Sequence, residues 1–127
     1  MRPISVVLAQ QHLETAENLA STIEKQFLNL ATVNSKEEIR NSIARHRARL
    51  AVVDLELVNF AELGELCKEF PETAFVSTHR LADDIMWSQS LAMGAVDCCL
   101  AGDLRHILQS SNRYVAIKKE EHAISAA

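Results

Sequence analysis

Two carboxylates two residues apart, Asp54 and Glu56, follow the apolar run Leu50–Val53. A strand ending in a carboxylate exposes it at its C-terminal end, where chains that alternate strand and helix place their sites. The plain alternative is a loop cap, because Asp is a common turn-former. Ser77 and His79 add the residue types of a nucleophile and a base. With Asp54 they would complete a Ser-His-Asp set. The G-x-S-x-G elbow is missing, however, and Ser77 does not lead into a helix, so that hydrolase chemistry is set aside. Cys67, Cys98 and Cys99 have no C-x-x-C spacing, and His12, His46, His79, His106 and His122 show no ligand spacing with them or with one another. Neighbouring strand residues face opposite sides, so Cys98 and Cys99 read as small buried hydrophobes. Three glycines in 127 residues exclude a glycine-rich phosphate cradle of the Walker or dinucleotide kind.

The elements that must position these residues alternate along the chain. Ile4–Ala9 is nearly continuous in apolar residues, the mark of a strand buried on both faces. Leu13, Ala16, Leu19, Ala20 and Ile23 recur at three- and four-residue steps over His12–Gln26, which makes one apolar helix face, and Phe27–Val33 is the next strand. Ser35 and Glu38 form a capping-box pattern ahead of a second helix with Ile39 and Ile43 as its inner stripe. Leu50–Val53 is the third strand. Phe60, Leu63, Leu66, Cys67 and Phe70 then space a third helix that Pro71 ends. Ala74–Thr78 is the fourth strand, and Asp83–Met93 is a fourth helix closed by Gly94. Ala95–Leu100 is the fifth strand, and Asp103 caps a fifth helix over Asp103–Ser111. These β-α repeats imply an α/β fold: a flavodoxin-like, doubly wound, five-stranded parallel sheet in the order 2-1-3-4-5, with helices on both faces. Residues 1–112 form the domain, and 113–127 extend the last helix or fray as a tail. The strand ends of such a sheet gather Gln10 and Gln11, Asp54 and Glu56, Ser77, Thr78 and His79, and Ala101.

Composition bounds the partners. With 48% hydrophobic residues the chain can bury the core of one domain. Thirteen basic against seventeen acidic residues give a net charge of -4, which opposes nucleic acid as a partner. No apolar run approaches the ~20 residues of a membrane span. Met1-Arg2-Pro3 leads into the first strand without a cleavage pattern, and the unpaired cysteine usage suits a reducing, cytoplasmic compartment. Residues 36–49 hold five basic residues against Glu37 and Glu38, whereas residues 54–72 hold six acids and one base. The basic stretch reads as a solvated helix end, with docking of an acidic partner as its alternative.

At this point the sequence resembles a family. V-V-L-A-Q-Q after the first strand, A-V-V-D-L-E-L around Asp54, F-V-S-T-H after the fourth strand and M-G-A-V-D-C-C-L before the last helix are similar to the receiver domain of two-component response regulators. The similarity runs over about residues 4–112. It implies that Asp54 matches the aspartate that accepts a phosphoryl group from a histidine kinase. Thr78 or Ser77 then matches the hydroxyl that contacts the phosphoryl group. Two features depart from the pattern. Gln10 and Gln11 stand where an acidic pair holds Mg²⁺, and Ala101-Gly102 stands where a lysine closes the fifth strand. A carboxylate attacking a phosphoryl group brings like charges together, so the metal must neutralise them. Mg²⁺ asks for anionic oxygens in near-octahedral array, and neutral amides supply none of that charge. Each preorganised charge lost typically lowers such a rate by roughly 10²–10³. Glu56 is a candidate replacement ligand.

The expectations are therefore a non-enzymatic signalling module acting by protein–protein contact, with phosphoryl acceptance weakened or lost and no cofactor beyond weakly held Mg²⁺. A working phosphoacceptor using Asp54 is the alternative, and a small-molecule-binding flavodoxin-like domain is a third reading. The partner is a histidine kinase or another signalling protein. A second copy could also bind, through the face made by the fourth helix, fifth strand and fifth helix. Trp87, Ile85 and Met86 spread wider than one buried stripe needs, although core packing is the default role of each. Asp54→Asn is expected to change stability little or to raise it, with Gln10 or Gln11 side chains donating to the carboxylate.

Overall fold

The structure, a computed structural model, describes residues 2–113. Its elements follow in the order β1 (Arg2–Ala9), α1 (Leu13–Ile23), β2 (Phe27–Val33), α2 (Lys36–His46), β3 (Leu50–Asp54), α3 (Phe60–Glu69), β4 (Ala74–His79), α4 (Asp84–Ala92) and β5 (Asp97–Leu100). A fifth helix, α5, runs over 104–113. The five strands form one parallel sheet in the order β2-β1-β3-β4-β5. The fold class and strand order expected from the β-α alternation are both present. The expected tail, 113–127, lies outside the described residues except for Arg113.

Strand alternation sorts the core into two layers. Val7, Ala9, Ala51, Val53 and Phe75 point to one side and pack on Ile39 and Ile43 of α2 and Leu63 and Leu66 of α3. Val6, Leu8, Leu50, Val52, Ala74, Val76 and Cys99 point to the other, against Leu19 and Ile23 of α1 and Ile107 of α5. β3 is buried along its whole length, as its unbroken apolar run requires. Leu13 departs from the expected stripe: it opens α1 but is exposed, and Ala16, Leu19 and Ile23 carry the buried face.

Helix ends differ from the sequence pattern in one place. Ser35 does precede α2 with extended backbone, but its hydroxyl makes no capping bond, and Glu37 and Glu38 answer the helix dipole instead. The reciprocal capping box forms at α3. There Asn59 Oδ1 accepts from Glu62 N–H at 2.8 Å, and Glu62 Oε1 accepts from Asn59 N–H at 3.0 Å. Asp83 and Asp103 cap the helices that follow them by accepting from Met86 N–H and His106 N–H. The basic and acidic stretches meet one another: Lys36 pairs with Glu62 and Arg40 with Glu69, which ties α2 to α3. These exposed pairs use up part of the charge that would draw an acidic partner.

Gly94, just after α4, has φ +110°, a conformation that side chains rarely adopt. A Cβ there would lie 2.9 Å from Cys67 Cβ on α3. Gly94→Ala is expected to lower stability by about 1–3 kcal/mol, through left-handed strain and the clash. A urea midpoint measures it, and an unchanged midpoint would show that the turn relaxes freely.

Candidate functional site

Register decides which side chains meet at the C-terminal end of the sheet. Ala9 pairs with Val53 and Asp54 with Thr78, so Gln10, Asp54 and Thr78 end three adjacent strands on the α1/α5 side. All three are buried. Gln10 Nε2 donates to Thr78 Oγ1 at 3.1 Å, and Gln10 Oε1 meets no donor among the described residues. Asp54 Oδ2 accepts from the backbone N–H of Gln11 at 3.0 Å, and its Oδ1 from the backbone N–H of Glu56 at 2.9 Å. The loops after β1 and β3 thus each direct a peptide N–H at the carboxylate, and charge-assisted bonds of this kind are strong.

Glu56, whose peptide N–H reaches Asp54, turns its side chain to other partners. Its Oε2 pairs with His12 Nε2 at 2.7 Å, and its Oε1 accepts from Arg80 Nε at 2.6 Å. One side chain, 17% exposed, therefore joins the loops after β1, β3 and β4. The His12 hydrogen bond chiefly, with that of Arg80, holds the Glu56 carboxyl below the usual carboxylate range against the opposing cost of burial.

The sequence candidates separate accordingly. Thr78 stands in the Asp54 pocket. Ser77 does not, and its place among the phosphoryl-contact candidates is corrected: one residue along a strand reverses the face. Its hydroxyl donates to Ser90 Oγ at 2.8 Å and to the Asp97 carbonyl at 3.3 Å, on the α4 side. His79 Nδ1 accepts from Leu81 N–H, so no Ser77-His79-Asp54 set is assembled. Gln10 and Gln11 do reach Asp54's neighbourhood, Gln10 through Thr78 and Gln11 through its peptide N–H rather than its side chain. Ala101 and Gly102 lie in the loop after β5, beside Arg80 and Thr15.

As a place for Mg²⁺ this donor set falls short. The unpartnered Gln10 Oε1 is one oxygen a cation could take, yet it carries no charge. Asp54 is the one buried carboxylate of the pocket, with both oxygens engaged by N–H groups. Glu56, the candidate replacement, is engaged by the His12 ring and the Arg80 guanidinium. A hard ion that surrenders its water reluctantly needs more anionic oxygen than this.

The face expected to contact partners is exposed where it was expected to be apolar. Ser90 is the buried residue of α4, tethered by its hydroxyl to Ser77. Trp87 is 46% exposed and Ile85 68%, with Met86 half-buried, so core packing is not the role of the first two. The reason is visible at Asp97, whose Oδ1 takes the Trp87 indole N–H at 3.1 Å and keeps the ring at the sheet edge. Asp97 was missed in the sequence. Its signal was an acid directly before two buried cysteines, on a strand otherwise apolar.

No protein-family model and no curated protein matches the chain. Solved structures do. A response regulator from Thermotoga maritima superposes with a TM-score of 0.80 at 21% identity, over 91% of this chain and 99% of that one. The signal receiver domain of a DNA binding response regulator protein from Colwellia psychrerythraea 34H gives 0.75 at 14% identity, over 91% and 98%. A response regulator protein from Burkholderia pseudomallei, with a phosphorylated aspartic acid, calcium ion and citrate, gives 0.76 at 17% identity, over 98% and 75%. The chain has the flavodoxin-like fold of response-regulator receiver domains.

The Glu56 clamp generates a pH prediction. Its carboxyl is depressed in the folded state, so its contribution is complete above the ordinary carboxylate value and is lost as pH falls through the depressed one. Wild type should therefore lose its advantage over Glu56→Gln between about pH 5 and pH 3, by no more than roughly 1 kcal/mol per exposed pair. Urea midpoints of both proteins at the two pH values measure this. An advantage that does not shrink in acid would rule the clamp out.

Proposed function

We propose that this chain is a signal-transduction receiver module of the two-component, phosphorelay kind, working by protein–protein contact and without enzymatic activity, in which Asp54 accepts a phosphoryl group weakly or not at all. The observation that carries this reading is the state of the Asp54 pocket. The carboxylate is answered by two peptide N–H groups, the adjoining glutamine bridges to Thr78, and the nearby Glu56 is tied to His12 and Arg80. The Burkholderia regulator of the same fold has its phosphorylated aspartic acid together with a calcium ion. Here the charge that would hold such an ion beside Asp54 is missing, so Mg²⁺ binds weakly at best. A lysine from the β5 end is also absent, and the nearby cation, Arg80, is committed to Glu56.

The partner is a histidine kinase or another signalling protein, met in the cytoplasm. No helix among the described residues is long and apolar enough to cross a membrane. The surface that suits a partner is α4–β5–α5, where Leu81, Ile85, Trp87 and Leu100 stand exposed. A second copy of the chain could cover the same face.

Two experiments test the reading. Treatment with acetyl phosphate at millimolar Mg²⁺ should add no stable phosphate to Asp54 by mass spectrometry. In Gln10→Asp/Gln11→Asp, labelling should rise by roughly 10²-fold or more as the charge is restored. A Mg²⁺-dependent phosphate on the wild type, absent from Asp54→Asn, would instead establish the working phosphoacceptor. The expectation that Asp54→Asn is neutral or stabilising changes with the geometry, because an amide NH₂ would face a peptide donor. It should cost about 1–3 kcal/mol. For the contact face, sedimentation of wild type and Ile85→Lys at several concentrations should show association lost in the variant. Identical monomers with an unaltered partner profile would remove this face from consideration.

A further inference from the structure

At the start of the edge strand β5, level with Val76 of β4 and two strands away from β3, Asp97 gathers groups from both flanking helices. Its Oδ1 accepts from Trp87 Nε1 of α4 at 3.1 Å and from the backbone N–H of Cys98 at 2.8 Å. Its Oδ2 faces α5, where it meets His106 Nε2 at 3.1 Å and accepts from the Ser110 hydroxyl. Cys99, two residues on and on the same face, has its Sγ 3.9 Å from Ser110 Oγ. A carboxylate oxygen, a thiol sulfur and an imidazole nitrogen therefore lie within 4.8 Å of one another. We infer that Asp97, Cys99 and His106 form a binding site for a borderline-soft divalent transition-metal ion, with zinc the ion whose preferences they match.

Donor chemistry and placement support this independently. Zinc takes sulfur, nitrogen and carboxylate oxygen in a tetrahedral array whose ligand atoms stand about 3.3–3.7 Å apart. His106 Nε2 and Asp97 Oδ2 stand 3.1 Å apart and all three atoms lie within 4.8 Å, and the half-exposed His106 ring can close the remainder from the solvent side. One carboxylate and one thiolate cancel the charge of a divalent ion, so the filled site is neutral where it is partly buried. The fourth position falls to Ser110 Oγ or to solvent. Asp97 is also held in the way a metal-ligating carboxylate usually is: Oδ1 is fixed by two N–H donors, which leaves Oδ2 turned toward the other ligands. Mg²⁺ and Ca²⁺ are poor matches, because they take six or more oxygens and no thiol.

Protons compete with the ion. Burial first, and then the charge of Asp97, pushes the Cys99 thiol up to about 12, so the metal must displace the S–H proton to solvent. A bound ion would fasten α5 to β5 and, through the indole bond to Asp97, steady α4.

Cobalt(II) reports on this site directly, since a thiolate ligand gives it a near-ultraviolet charge-transfer band. The full chain titrated with cobalt(II) chloride at pH 8 should develop that band with one equivalent and lose it to added zinc. Fluorescence of Trp87, the single tryptophan, should shift in parallel. Cys98→Ser, on the opposite face of the strand, should keep the band, and Cys99→Ser should abolish it. His106→Ala removes a direct ligand and should weaken cobalt and zinc by at least the roughly 10–100-fold that loss of an outer-shell partner costs. That variant changes a half-exposed ring, so it remains informative if Cys99→Ser fails to fold. No band at millimolar cobalt, a band that survives in Cys99→Ser, or unchanged affinity in His106→Ala would overturn the inference.

Discussion

A parallel ladder fixes which side chains can meet at its ends, and both polar centres of this molecule depend on that restriction. Even-numbered residues of β1, β3 and β4 face α1 and α5, and the register sets Asp54 opposite Thr78. Gln10, Asp54 and Thr78 therefore converge without any choice of loop conformation. A shift of one residue in β4 would exchange Thr78 for Ser77 and remove the hydroxyl from the pocket. On β5 the same alternation gives Asp97 and Cys99 to the α5 side and Cys98 to the other.

The two acids show how differently a fold can accommodate a covered carboxylate. Asp54 is answered by peptide N–H groups that the adjoining loops bring to it, so its environment is built from backbone and changes little with neighbouring side chains. Asp97 is answered mainly by side chains from α4 and α5, an indole, an imidazole and a hydroxyl. It thereby couples elements that share little apolar contact, since the buried residue of α4 is Ser90. Polar tethers, Ser77 to Ser90 and Asp97 to Trp87, carry much of the attachment of α4. That leaves its large apolar side chains available at the surface.

The layered fold was legible because its information is periodic. The apolar runs of β1 and β3, the stripes of α1 to α3 and the terminating Pro71 and Gly94 each state one element locally. The Asp54 pocket was legible in its residues but not in its bonds. Gln11 acts through its peptide group, which no side-chain pattern announces, and the choice between Ser77 and Thr78 rests on strand parity that an uncertain boundary leaves open. The Glu56 clamp joins residues that are 24 and 44 positions apart, so only the assembled loops reveal it. Trp87 stood out through the wide apolar spread of its helix, with core packing as its default role. Its exposure follows from a hydrogen bond to an acid whose own position was unremarked. The cluster around Asp97 escaped for a related reason: ligand spacing was sought among His and Cys alone, whereas the third donor here is a carboxylate.

The neutral amides at the strand ends have consequences for the fold as well as for chemistry. Three carboxylates gathered in one buried pocket repel one another, and a divalent cation is the natural means of relieving that repulsion. With the neutral Gln10 and Gln11 beside Asp54 the pocket holds a single carboxylate, which two peptide N–H groups satisfy. The loops are then free to be joined by other means, and Glu56 joins them through His12 and Arg80. A pocket with little negative charge and loops joined through Glu56 thus go together. A cation entering the pocket would have to compete with contacts that already stabilise it.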